Sequence, residues 1–173
     1  GAQEEGFATG LLHDLGKYSE LFQSVLKGEA MHVDHATPGA LVALKLYRNQ
    51  GLASAIAIEG HHEGLKEAAP TEVSRRVKMI NDISETGKRY SEKNAEILIN
   101  KLMLDGVNIP DTFLSLPSEM YQNNISSMLY IRMLFSALTD ADFLATEAHF
   151  KKTSTEYAYR RYNHTLNKKS IEK

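Results

Sequence analysis

The chain has 173 residues, with 20 Lys and Arg against 22 Asp and Glu, a formal net charge of −2, and 42% hydrophobic residues. These values are typical of one globular domain, and we expect a cytoplasmic protein that does not enter a membrane, because no apolar run approaches the roughly 20 residues of a membrane-spanning helix. The absence of cysteine excludes disulfides and thiolate metal sites, so any metal must be held by imidazole and carboxylate groups.

Apolar residues recur at helical spacing along the chain, and no alternating strand pattern is found, so the predicted fold class is all-α. Residues 107–117, with two prolines and several turn residues, are predicted to form a loop. Thr37 is predicted to cap the helix that Pro38 opens. The predicted helices cover residues 18–27, 38–50, 52–59, 70–85, 92–105, 118–150 (with a break near 123–124) and 154–166.

The segment LLHDLGK, residues 11–17, places His13 and Asp14 at the end of an apolar run. Imidazole and carboxylate are the ligands of divalent cations that catalyse hydrolysis. Adjacent helical residues point about 100° apart, so this pair cannot hold one ion from a single helix face, and other ligands must come from elsewhere. The chain offers candidates in VDHATPGA, GHHEGL and LTDADFL, namely His35, His61, His62 and Asp142.

Each candidate also has a structural interpretation when it is considered alone. His35 would serve as a buried core histidine, and His61 and His62 would cap the carbonyl groups of the preceding helix. Asp142 would be a solvated carboxylate at a helix end. These alternatives stay open for single residues, and the case for a metal site depends on the whole set.

The last motif contains two aspartates, and helical phase distinguishes them. Asp142 follows Leu138 by four residues and continues a stripe that begins at Ile131 and Phe135, whereas Asp140 lies about 200° round the helix from Leu138. We therefore expect Asp142, rather than Asp140, to face the interior.

The order His-Asp, His, His-His, Asp, in the contexts HDLGKYSELFQ, VDHATPGA, GHHEGL and DADFLATE, resembles that of the HD-domain metal-dependent phosphohydrolases. Within that superfamily the flanking residues are most similar to the HD nuclease of type I CRISPR systems, which accompanies or is fused to the helicase that unwinds target DNA. The resemblance runs from about residue 10 to residue 150 and is weak between residues 66 and 127. It implies an HD-domain helical bundle with a metal site between helices.

The resemblance also implies a two-metal site, in which two divalent cations activate water and neutralise the attacked phosphate. Manganese, magnesium, nickel or cobalt would suit oxygen and nitrogen ligands, although imidazole-rich ligation disfavours magnesium at the second position. The implied assignment gives Asp14 the bridge, His13 and Asp142 the first ion, and His35, His61 and His62 the second.

Two further residues are candidates for contact with the substrate. Lys17 lies four residues after His13, so its ammonium is expected to reach the same opening and to bind the phosphate or protonate the leaving oxygen. Thr146 lies four residues after Asp142 and is a candidate phosphate donor. An ordinary surface position is the alternative for both.

The function implied by the resemblance is hydrolysis of single-stranded DNA in CRISPR antiviral defence, with a helicase in cis or in trans and a CRISPR surveillance complex as partners. No G-x-x-x-x-G-K-[ST] loop is present, so ATP handling is expected to lie elsewhere. The basic segment 151–173, with seven Lys or Arg against two Glu, is expected either to meet nucleic acid or to be a solvated helix.

Two other functions stay open: a phosphohydrolase of nucleotides or cyclic nucleotides, and a catalytically degenerate docking module. Relatives carry a further metal-binding histidine upstream of the His-Asp pair, and the twelve residues before His13 contain none. We therefore expect a single HD nuclease domain over residues 1–173, with the N-terminal part of the family domain missing or outside the numbering. If nothing supplies that histidine, the first ion lacks a ligand.

Overall fold

The structure of the protein, a computed structural model, describes residues 2–29, 33–65, 92–111 and 124–152. These residues form helices, turns and loops without a strand, which confirms the predicted all-α class. The chain divides into two compact units, Gly1–Leu138 and Thr139–Lys173, and the prediction of a single HD domain stays a prediction. Within the described parts of the chain, no helix combines the length and the apolar character needed to cross a membrane.

The described helices follow the predicted ones closely, apart from the first. Glycines with positive φ follow α2 and α5, at Gly28 (φ 75°) and Gly106 (φ 79°), as expected for helix ends. The predicted helices 70–85 and 154–166 lie outside the described residues. The observed helices are α1 (Ala2–Leu12), α2 (Glu20–Leu26), α3 (Ala36–Tyr47), α4 (Leu52–Gly60), α5 (Glu92–Leu104) and α6 (Asn124–Lys151), with short 3₁₀ helices at Leu15–Tyr18 and Arg48–Gly51.

Helix α3 begins earlier than predicted, and its cap is a different residue. The Oδ1 atom of Asp34 accepts hydrogen bonds from the backbone amides of Ala36 (3.0 Å) and Thr37 (3.1 Å). The Thr37 hydroxyl donates to the other oxygen of the same carboxylate. The prediction that Thr37 is the N-cap is therefore wrong, because a carboxylate three residues upstream satisfies the free amides of the first turn.

The core of the first unit is rich in alanine where α1, α3 and α4 pack together. Small side chains let the helices approach closely, and Gly39 of α3 marks the nearest approach. A Cβ at Gly39 would lie 1.9 Å from the carbonyl oxygen of Leu12, the last residue of α1. The start of α3 is thus fixed against the end of α1. The buried apolar residues of this core include Ala8, Leu12, Leu15, Ala40, Val42, Ala43, Tyr47, Ala53, Ala55, Ala57, Ile58, Leu98, Leu102, Leu134 and Leu138.

Candidate metal centre

A histidine directly follows each of the helices α1 and α4, and these two histidines lie close together. His13 follows α1 and His61 follows α4, with their ring centroids 5.2 Å apart in an edge-to-face arrangement. The Nδ1–H of His13 donates to the carbonyl of Gly10 at 2.7 Å, and that of His61 donates to the carbonyl of Ile58. Because Nδ1 carries the proton in each ring, Nε2 keeps the lone pair that a metal would use.

The backbone of both helices also favours a cation at this position. The C-terminal end of a helix carries the negative end of its dipole, and here α1 and α4 both end at the histidine cluster. The carbonyl groups of the last turns, including those of Gly10 and Ile58, are the acceptors that orient the imidazoles.

Asp14 divides its two carboxylate oxygens between two environments. Oδ2 accepts a hydrogen bond from the Lys17 ammonium at 2.7 Å and lies 3.2 Å from Nε2 of His13. Oδ1 lies 3.7 Å from Nε2 of His35. Among the described residues, Oδ1 of Asp14 and Nε2 of His61 are buried atoms that form no hydrogen bond. Buried polar atoms are normally paired, so these two atoms are available to bind a cation.

His35 and His62 complete the cluster. Their Nε2 atoms lie 2.6 Å apart, and the ring of His62 also contacts that of His61 at 3.8 Å between centroids. This separation between two imidazole nitrogens is favourable only when a proton or a cation lies between them. The backbone carbonyl of His35 accepts a hydrogen bond from the Gly16 amide at 3.2 Å, which ties this residue to the 3₁₀ turn after Asp14.

The protonation of the cluster suits metal ligation. Burial lowers the pKa of His35, and the neighbouring His62 lowers it further. Burial also lowers the pKa of His61. Burial alone would raise the pKa of Asp14, but the neighbouring His13 imidazole and the Lys17 ammonium outweigh this effect and hold that pKa well below its ordinary value. Near neutral pH these shifts favour the neutral imidazole at His35 and His61 and the ionised carboxylate at Asp14, which are the metal-binding forms.

Of the predicted site residues, the structure brings Asp14, His35, His61 and His62 together. One ligand atom from each lies within 4.8 Å of all the others. His13 and Lys17 lie next to this cluster, because both side chains contact the Asp14 carboxylate. His61 also caps a carbonyl group of the preceding helix, as its alternative interpretation predicted. Because the ring caps through Nδ1, its Nε2 atom is still available to a metal.

Asp142 and Thr146 belong to the second unit, on α6. Asp142 is half-buried and Asp140 is exposed, in agreement with the helical phase expected from Leu138. Thr146 is exposed. The roles of Asp142 as a metal ligand and of Thr146 as a phosphate donor stay predictions.

The residues that hold the 3₁₀ turn Leu15–Tyr18 were not predicted from the sequence. The side-chain amide of Gln23 donates to the carbonyl of Lys17 at 2.8 Å, and the Lys101 ammonium donates to the carbonyl of Tyr18 at 3.2 Å. Phe22 packs edge-on against the His35 ring, with centroids 5.2 Å apart. Most of these contacts involve backbone acceptors, which leave no residue-type signal in a sequence.

Comparisons of the chain with protein families, with curated proteins and with solved structures find no match.

Proposed function

We propose that this chain is a metal-dependent nuclease of the HD type that hydrolyses single-stranded DNA in CRISPR antiviral defence, together with a helicase. The observation that carries the proposal is the convergence of one carboxylate oxygen and three imidazole nitrogens within 4.8 Å. The four residues come from three separate segments of the chain, residues 14, 35 and 61–62, as the order of motifs in the HD superfamily leads one to expect.

The donor set fits a divalent cation of the first transition series. Asp14, His35, His61 and His62 would hold it, with nitrogen donors in the majority, which favours manganese, nickel or cobalt over magnesium. A second cation, held by His13 and Asp142 with Asp14 as the bridge, is part of the proposal and rests on the resemblance of the motifs. When bound, such cations supply Lewis-acid activation of water and phosphate.

The chain's own residues would then bind and orient the phosphodiester. The side chain of Lys17 is 42% exposed while its ammonium contacts Asp14 Oδ2, so the same group can turn its remaining protons toward a phosphate oxygen. From this position it can also donate a proton to the leaving oxygen. Nδ1 of His13 and of His61 stay bound to backbone carbonyls, which keeps both rings oriented.

The solvent exposure of two residues at the cluster favours a large substrate over a small one. His62 is exposed, and the Lys17 side chain, which contacts Asp14, also reaches solvent. A nuclease needs an open site to admit a polymer, whereas a nucleotide phosphohydrolase encloses its substrate in a pocket.

The test is cleavage of circular single-stranded DNA in the presence of Mn²⁺, because a circle has no ends and reports endonuclease action directly. We expect wild-type protein to linearise the circle and EDTA to stop the reaction. His61→Gln should lower the rate at least a hundredfold, while His149→Gln, which changes an exposed histidine, should not alter it. Hydrolysis of nucleotides or cyclic nucleotides without DNA cleavage would support the alternative phosphohydrolase. Metal binding without either activity would support a docking module.

We expect Mn²⁺ binding to persist as the pH falls from 8 to the ordinary histidine pKa of 6.5 and to weaken below about pH 6. The pKa values of His35 and His61 are lowered in the folded chain, so protons compete with metal only below the ordinary value. In the same range the unfolded chain takes up protons first, so the metal-free protein should lose stability as the pH falls below 6.5. Calorimetric titration from pH 5 to pH 8 measures the affinity, and a flat profile would contradict histidine ligation.

A further inference from the structure

A buried carboxylate lies in the first unit outside the proposed metal centre. Glu5 of α1 is only 3% exposed, and both of its carboxylate oxygens accept hydrogen bonds. The Tyr130 hydroxyl donates to Oε2 at 2.5 Å, and the Ser54 hydroxyl donates to Oε1 at 3.1 Å. The Thr9 hydroxyl lies 2.9 Å from Ser54 Oγ and 2.6 Å from the backbone oxygen of Glu5. We call these four residues the Glu5 network.

The Glu5 network connects the helices that present the metal-binding histidines. Thr9 precedes His13 by four residues on α1, and Ser54 precedes His61 by seven residues on α4. The Thr9–Ser54 contact and the His13–His61 ring contact show that α1 and α4 run in the same direction from the network to the cluster. A shift of one helix along the other would therefore change both contacts together.

The apolar contacts between α1 and α4 do not define their relative position well. α1 contributes Ala8 and Leu12 to the core, and α4 contributes mainly alanine side chains. Apolar attraction is non-directional, and alanine surfaces resemble one another at successive turns. Hydrogen bonds are directional, and a buried carboxylate is costly to leave without its donors. The Glu5 network can form in one register only.

We propose that Glu5 is a positioning residue that fixes α1 against α4 and thereby sets the distance of His13 and Asp14 from His61 and His62. The effect of Glu5 on metal binding rests on the proposed function, whereas its effect on the geometry of the histidine cluster does not. Burial raises the pKa of Glu5, and the hydrogen bonds from Tyr130 and Ser54 oppose that rise. Loss of either donor therefore leaves a buried carboxylate less well compensated and favours displacement of α1.

The test compares two substitutions that remove the same atom. Tyr130→Phe deletes the hydroxyl that binds Glu5. Tyr47→Phe deletes a hydroxyl that donates to the Pro110 carbonyl at 2.5 Å, from a buried tyrosine at the end of α3 remote in sequence from His35. Both variants should melt at a lower temperature than wild type. Only Tyr130→Phe should raise the Kd for Mn²⁺, by about tenfold, the lower end of the effect of altering groups that orient ligands.

A second measurement needs no metal. The imidazole NMR resonances of His13 and His61 should shift in Tyr130→Phe and not in Tyr47→Phe. Glu5→Gln keeps an acceptor for the Tyr130 hydroxyl, so its spectra and its Mn²⁺ affinity should stay close to those of the wild type. Equal shifts in the two tyrosine variants, or none, would overturn the positioning role. If wild type binds no Mn²⁺ while the spectra differ as expected, the proposed function fails and the positioning role stands. Ser54→Ala serves the same comparison if Tyr130→Phe does not fold.

Discussion

Replacing Asp14 by asparagine should abolish measurable Mn²⁺ binding and metal-dependent cleavage while the protein remains folded. Asp14 is the carboxylate of the four-residue cluster, and the other three residues of that cluster are histidines. Asparagine keeps the shape of the side chain and removes its charge, so nothing in that cluster would balance a divalent cation. Its amide would also repel the Lys17 ammonium if the nitrogen took the place of Oδ2.

Calorimetric titration with Mn²⁺ and cleavage of circular DNA would measure the effect, with Asp140→Asn as the matched control at an exposed carboxylate. The metal-free Asp14→Asn protein should also melt lower than wild type near neutral pH. The folded-state pKa of Asp14 is depressed, so its ionised form stabilises the fold above the ordinary value of 3.8, and this contribution is lost as the pH falls below that value. Unchanged Mn²⁺ affinity in Asp14→Asn would contradict the proposed centre.

Local sequence patterns predicted most of the described helices because those helices have local signals. α2 and α5 have apolar residues at helical spacing, and a glycine in the left-handed conformation follows each. The grouping of His35, His61 and His62 with Asp14 was implied by the resemblance of the motifs, and the structure brings these four side chains together.

Helix α1 was not predicted, because its own sequence gives a weak helical signal and some of its stabilising contacts come from distant parts of the chain. Gly6 and Gly10 lower its helix propensity, and its buried positions include the polar residues Glu5 and Thr9, which obscure an amphipathic pattern. Both polar side chains form a hydrogen bond with Ser54, which is more than 40 residues away in the chain. Tertiary contacts therefore decide this helix, and a local pattern cannot represent them.

The sequence also could not predict which groups each carboxylate oxygen of Asp14 contacts. The spacing of Lys17 predicted that its ammonium would reach the site, but not that it would bind Oδ2 and leave Oδ1 toward His35. This division depends on the 3₁₀ turn after Asp14, which is held by the side chains of Gln23 and Lys101 through backbone carbonyls.

That turn approaches His35 so closely that residue 16 has no room for a side chain. A Cβ at Gly16 would lie 2.3 Å from the carbonyl oxygen of His35 and 2.6 Å from its Cα. Both atoms belong to the backbone, so the contact cannot be relieved by rotation of a side chain. The Gly16 amide donates to the same carbonyl at 3.2 Å, which holds the two segments together. The distance between Asp14 and His35 therefore depends on the absence of a side chain between them.

Gly16→Ala should separate these segments by roughly 1 Å, which is enough to lower cleavage about a hundredfold, and should destabilise the fold by about 1–3 kcal/mol. The matched control is Gly6→Ala, where a Cβ would meet no atom within 4 Å inside α1. That control should stabilise the protein by about 0.5–1 kcal/mol, because alanine favours the helix, and should leave Mn²⁺ affinity unchanged. Urea denaturation and Mn²⁺ titration of the two variants would measure both effects. Wild-type Mn²⁺ affinity in Gly16→Ala would show that the spacing of Asp14 and His35 does not control the metal centre.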